Sequence, residues 1–116
     1  MYGNIFINKG VVGMDKKEAI KKAKLYADTV IKEFNPRKII LFGSYATGNQ
    51  REYSDIDIAI IVDEIKGNYL DDIVKLYRMR RKIDSRIEPH ILEMGNDDSG
   101  MLHEVLTSGN VLYSAQ

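Results

Sequence analysis

The chain has 116 residues, 17 basic and 17 acidic side chains, no formal net charge, 44% hydrophobic and 29% charged residues, and no cysteine. One domain of this size buries a modest core unaided; the composition excludes a disordered chain, a disulfide framework and a thiolate zinc site. The cancelling charges leave no chain-wide positive field for a nucleic-acid backbone, so nucleic acid is not expected as a direct partner.

Residues 1–13 match no periodic template and are read as an N-terminal extension or an edge strand, or as a stretch upstream of an alternative start at Met14; residues 14–116 are read as the domain proper. The apolar patches Ile5 to Ile7 and Val11 to Val12, interrupted by Asn8, Lys9 and Gly10, are too short for a signal or membrane segment. A cytoplasmic setting without a membrane partner is therefore expected.

From Asp15 the pattern becomes helical. Asp15 and Glu18 form a capping-box-like pair, and Ala19, Ile20, Ala23, Ala27, Val30, Ile31 and Phe34 recur at helical spacing until Asn35-Pro36 ends the run. Ile39-Ile40-Leu41-Phe42, closed by Gly43-Ser44, has the profile of a strand buried on both faces. After a polar stretch, Ile56 to Val62 is predicted as a second strand, with Asp55 and Asp57 at its N-terminal end. Gly67-Asn68 opens a second helix through Leu70, Ile73, Val74 and Tyr77, extending toward Ile83. Ile87 to Leu92 is a third strand, and a helix around Gly100 to Thr107, stopped by Gly109, precedes a short apolar tail, Val111 to Tyr113. This order implies an α/β or α+β fold, a small mixed sheet flanked by helices.

Two neighbouring features carry chemistry. Gly43 and Ser44, between a strand and a short helix, present N–H groups and a hydroxyl suited to a phosphate. Asp55 and Asp57, two apart on a strand, project to one side about 6.5 to 7 Å apart along the chain. Like-charged carboxylates repel, and a divalent cation turns that repulsion into coordination by hard oxygens; Mg²⁺, which takes one or two carboxylates plus substrate phosphates, is the natural ion. A two-ion site needs a third acid, and Glu88, heading the third strand, fills that place as ligand and proton acceptor. Alone, Gly-Ser is a turn and Asp-x-Asp a pair of solvated acids; their combination is the informative signal. In aspartyl phosphatases the apolar strand precedes the acids, whereas here it follows them.

Gly43-Ser44, Gly48 and Ser54-Asp55-Ile56-Asp57 resemble the Gly-Ser…Asp-x-Asp signature of the DNA polymerase β-like nucleotidyltransferases, and the resemblance runs from about Met14 to the C-terminus. Within that superfamily the short chain is similar to the minimal nucleotidyltransferases, often the antitoxin half of a pair whose other half is a HEPN-domain toxin. The resemblance implies a nucleotidyltransferase fold, Gly43 and Ser44 on the triphosphate, and Asp55, Asp57 and Glu88 as catalytic metal ligands for two Mg²⁺ ions. It also implies transfer of AMP from ATP to a tyrosine of the toxin, silencing its ribonuclease. Two positions depart from the pattern: Thr47 stands where many members carry Arg, and Glu88 where Asp is commoner. The chain's length leaves no room for a separate acceptor-binding domain, so a second polypeptide is expected to supply the acceptor. A module that keeps the fold and neutralises its partner by contact alone is the alternative.

Elsewhere the plain reading is preferred. Arg51 is a solvated loop residue, and His90 and His103 lack a partner at metal-ligand spacing and receive no role. Arg78, Arg80, Arg81, Lys82 and Arg86 complement a helix C-terminus. Ile73, Tyr77 and Ile83 are read as core.

Overall fold

The computed structural model describes residues 14–116, so the two readings of residues 1–13 fall outside the described part. Helix α1 spans Lys16–Phe34; Asp15 caps it by accepting the Glu18 N–H at 2.8 Å, and Asn35 ends it in the left-handed region before Pro36. Its buried stripe, Ala19, Ala23, Tyr26, Ala27 and Val30, carries three alanines, which let the helix lie close to the sheet.

Four strands follow: β1 (Lys38–Phe42), β2 (Ile56–Val62), β3 (Ile87–Glu93) and β4 (Asn110–Ser114). The sheet order is β3-β2-β1-β4, with β1 antiparallel to both neighbours and β2 parallel to β3. The expected mixed sheet is therefore present. Short α2 (Ser44–Thr47) links β1 toward β2, α3 (Tyr69–Met79) and a 3-10 turn (Arg80–Lys82) cross from β2 to β3, and α4 (Met101–Ser108) precedes β4.

Each face of the sheet has its own apolar layer. Ile39, Leu41, Ile56, Ile58, Ile60 and Ile87 pack against α1 and α3, while Ile40, Ala59 and Ile61 pack against Leu102 and Val105 of α4. Burial on both sides explains the unbroken apolar runs 39–42 within β1 and 58–62 within β2, where a half-buried strand would alternate. The two helices of the larger layer are joined by the buried Tyr26 hydroxyl, which donates to the Leu76 carbonyl at 2.7 Å; burial raises that phenol well above its ordinary range.

Two boundaries differ from the sequence reading. The tail at Val111 to Tyr113 is part of strand β4, which gains its ladder from β1, about 70 residues earlier; three apolar residues carry no local signal for a partner that distant. The second helix stops at Met79, and Ile83 lies beyond the 3-10 turn, where the chain bends back toward β3. No helix among the described residues is long and apolar enough to cross a membrane.

Asp84 locks that bend. Its side chain, 8% exposed, accepts from Lys22 of α1 at 2.6 Å and from Arg86 Nε and Nη2 at 3.0 and 2.9 Å. The Arg86 guanidinium, with Lys22 and the Arg86 amide, holds this carboxyl far below the usual carboxylate range, against the opposing effect of burial. A folded-state pKa below the unfolded one means that the stabilisation is complete above about pH 4 and fades as pH falls further. Asp84→Asn should cost about 2 kcal/mol near neutrality. In urea titrations its deficit relative to the parent chain should shrink steadily as the acid limb is entered; an equal deficit at every pH would contradict the account.

Candidate active site

The hydrogen-bond ladders place three residues in one row. Phe42 of β1 pairs with Asp57 of β2, and Asp57 with Glu88 of β3. Directly opposed residues share a face, and adjacent strands lie about 4.8 Å apart, so the Asp57 and Glu88 side chains leave the same side of the sheet as neighbours. That is the α4 side, where Phe42 packs against the patch that α4 covers. Asp55 stands one residue before β2 and is exposed.

At the head of the row, Gly43 makes the turn from β1 into α2 with φ 74° and ψ −154°, a region open almost only to glycine. A Cβ there would collide with Asp57 Oδ2 and lie 3.2 Å from Asp57 Cγ. The aspartate carboxylate thus occupies the space that the missing side chain leaves, which joins the two sequence motifs physically. Tyr45 anchors the turn from below: its ring is fully buried and its hydroxyl donates to Met14 O at 3.2 Å. Lys16, in the first turn of α1, donates to Ala46 O at 3.1 Å. Ala46 and Thr47 N–H groups return to Gly43 O at 3.1 and 3.2 Å, and the Ser44 and Tyr45 N–H groups stand at the helix start, where no intrahelical acceptor exists.

Two residues join the acids that the sequence reading had set aside. His90 Nε2 lies 3.3 Å from Asp57 Oδ1, and the imidazole is braced edge-on against Phe42 with ring centroids 5.0 Å apart. Tyr77, read as core, donates its hydroxyl to Glu88 Oε1 at 2.7 Å. That hydrogen bond, followed by partial burial and the charges of Glu88 and Asp55, raises the phenol above its ordinary range, with Arg80 opposing. A signal for His90 was available: strand–helix–strand units favour parallel neighbours, and Glu88 and His90 alternate onto one face. Tyr77 had none, because its helical spacing is that of a core position.

The basic cluster is partly spent within the chain. Arg86 is bound to Asp84, and Arg80 donates to Ile87 O at 2.8 Å while its guanidinium lies 4.6 Å from the Tyr77 ring centroid. Beside that ring runs a groove of about 420 Å³ walled by Ile73, Val74, Tyr77, Arg78 and Arg81.

Among the described residues, no three acidic or imidazole groups converge as a finished ligand set. The donors nonetheless suit a hard cation: Asp57 and Glu88 are in-register neighbours with carboxylate oxygens, Asp55 is two residues from Asp57, and Asp57 is only 26% exposed yet has no cationic Lys or Arg partner among the described residues. Glu88 meets Tyr77 through Oε1, and Oε2 is the atom left to complete the set.

A family model described as polymerase beta, nucleotidyltransferase, matches residues 17–116. A candidate protein adenylyltransferase, MJ0604 of Methanocaldococcus jannaschii, is 34% identical over 104 residues, which is 86% of this chain and all of that one. The protein adenylyltransferase MntA of Shewanella oneidensis is 30% identical over 80 residues, 67% of this chain, and the match spans only 54% of MntA. The crystal structure of a toxin-antitoxin with AMP-PNP superposes with a TM-score of 0.59 at 25% identity, covering 80% of this chain and 74% of that one.

The close approach of Gly43 to Asp57 is testable without any ligand. Gly43→Ala should lower stability in urea denaturation by about 1 to 3 kcal/mol through backbone strain, with further loss as the Asp57 carboxylate is displaced. Gly67→Ala, where an added Cβ meets nothing within 4 Å, should be far milder. Equal effects at the two positions would refute the packing described.

Proposed function

The chain belongs to the polymerase β-type nucleotidyltransferase family, and from that premise we propose that it transfers AMP from ATP to a hydroxyl of a partner protein, a HEPN-class toxin being the acceptor. The observation that carries this reading is the row Phe42, Asp57, Glu88 beside the Gly43 turn: carboxylates in register, at the edge of a turn whose first amides have no intrahelical acceptor. The names of MJ0604 and MntA support adenylyl transfer to protein, and the toxin-antitoxin crystallised with AMP-PNP supports both the nucleotide and the kind of partner.

In this scheme Gly43 and Ser44 receive the triphosphate through N–H groups and the serine hydroxyl. Asp55, Asp57 and Glu88 would hold two Mg²⁺ ions, which when bound supply positive charge to the phosphates and acidify the acceptor hydroxyl. His90 holds the Asp57 carboxylate in one orientation, as outer partners of metal ligands commonly do. Glu88 takes the proton as the acceptor oxygen bonds to the α-phosphorus and the bond to the pyrophosphate oxygen breaks. Tyr77 must give up Glu88 for this to happen, so the resting hydrogen bond marks a state before the acceptor arrives.

Incubation of the chain with Mg²⁺, ATP labelled at the α-phosphate and the partner encoded beside it should place label on the partner. Asp57→Asn should lower that labelling at least about 100-fold, the loss expected when several kcal/mol of ion-dependent stabilisation is removed. His90→Ala should lower it about 10- to 100-fold. A partner that is neutralised yet never labelled would sink the transferase reading and leave binding by contact.

A further inference from the structure

We propose that Tyr77 is an adenylyl acceptor within the chain itself, its phenolic oxygen taking AMP when no partner hydroxyl fills that place; this rests on the adenylyltransferase reading above. The Tyr77 hydroxyl already makes the contact an acceptor needs: it donates to Glu88 Oε1 at 2.7 Å, the distance at which a carboxylate base reaches the proton it removes. Glu88 is in register with Asp57, whose carboxylate lies against the Gly43 turn. The phenol therefore stands at the acid row itself.

The ring is placed for modification rather than for packing. Arg80 covers it at 4.6 Å, and the groove along Ile73 and Val74 leaves part of the ring open to solvent. The other tyrosines of the described residues differ. Tyr26 and Tyr45 are fully buried with their hydroxyls on the backbone carbonyls of Leu76 and Met14. Tyr53 is 85% exposed, and among the described residues only the Tyr77 hydroxyl is bonded to a carboxylate.

The step balances within the proposed reaction. Tyr77 Oη forms a bond to the α-phosphorus of ATP, the bond from that phosphorus to the bridging oxygen breaks, pyrophosphate leaves with the electron pair, and the phenolic proton passes to Glu88. The product is a phosphodiester on Tyr77 that fills the approach to Glu88. Self-modification is thus self-limiting, and a modified chain cannot serve a partner.

The test uses the full chain with ATP and Mg²⁺ but no partner, followed by intact mass and fragmentation of its peptides. The expected result is a single adenylyl increment on Tyr77, absent from Tyr77→Phe and from Asp57→Asn and retained in Tyr53→Phe. A chain pre-incubated with ATP should then label its partner more slowly than a fresh one, whereas pre-incubation should not slow Tyr77→Phe. An unmodified parent chain, or an increment on any other residue, overturns the proposal, and because the readout maps the parent chain it does not depend on how a variant folds. Partner labelling in a parallel reaction separates the two ideas. An unmodified chain that labels its partner refutes only self-modification, a chain that takes label on Tyr77 while fresh Tyr77→Phe leaves the partner bare refutes only the partner assignment, and no label on either refutes both.

Discussion

The hydrogen-bond register of β2 is the constraint on which the site depends. Because side chains alternate along a strand, a slip of one residue against either neighbour would send Asp57 to the opposite face and away from both Gly43 and Glu88. The register is held by burial on two sides: Ile56, Ile58 and Ile60 fit the layer under α1 and α3, and Ala59 and Ile61 fit the layer under α4. A slip of one residue would exchange the two sets and put Asp57 in the enclosed layer. The apolar residues of β2 therefore aim its aspartate, although none of them touches the acids' chemistry.

The same strand order sets the electrostatics. Asp57 and Glu88 come from parallel neighbours, a pairing that requires the long crossover through α3. That crossover delivers Tyr77 to Glu88, and its return bend, closed by Asp84 with Lys22 and Arg86, fixes where β3 begins. In the resting chain the two carboxylates are thus each engaged by a neutral or titratable neighbour, Tyr77 and His90, rather than by lysine or arginine. Partners of that kind are exchanged at modest cost, whereas a bidentate arginine such as Arg86 on Asp84 would hold its acid permanently.

Much of this was legible in the chain itself. Residues 39–42 and 58–62 form unbroken apolar runs because they are covered on both sides, and Asp15, Asn68 and Gly109 mark helix ends by local chemistry that works within a few residues. Gly43 beside Asp57 was visible as two motifs, but their contact was not, since it depends on the antiparallel pairing of β1 with β2. What escaped was everything fixed by distant partners. The β4 strand has five residues and takes its identity from β1. His90 gains meaning only once β3 is known to lie parallel to β2 and in register with it. Tyr77 satisfies a core pattern with its ring and differs from a core residue only at one oxygen, a distinction invisible to periodicity.

The two sides of the sheet are unequal in a way that bears on how such a protein changes over generations. Most of the fully enclosed side chains lie between the sheet and the α1–α3 layer, while α4 shields a smaller patch on the reverse, the face from which Asp57 and Glu88 emerge. Folding and chemistry therefore draw on different residues. Under the proposed transfer, replacements of Asp57, Glu88, His90 or Tyr77 would retune which hydroxyl is accepted, or silence the reaction, while the molecule remains assembled.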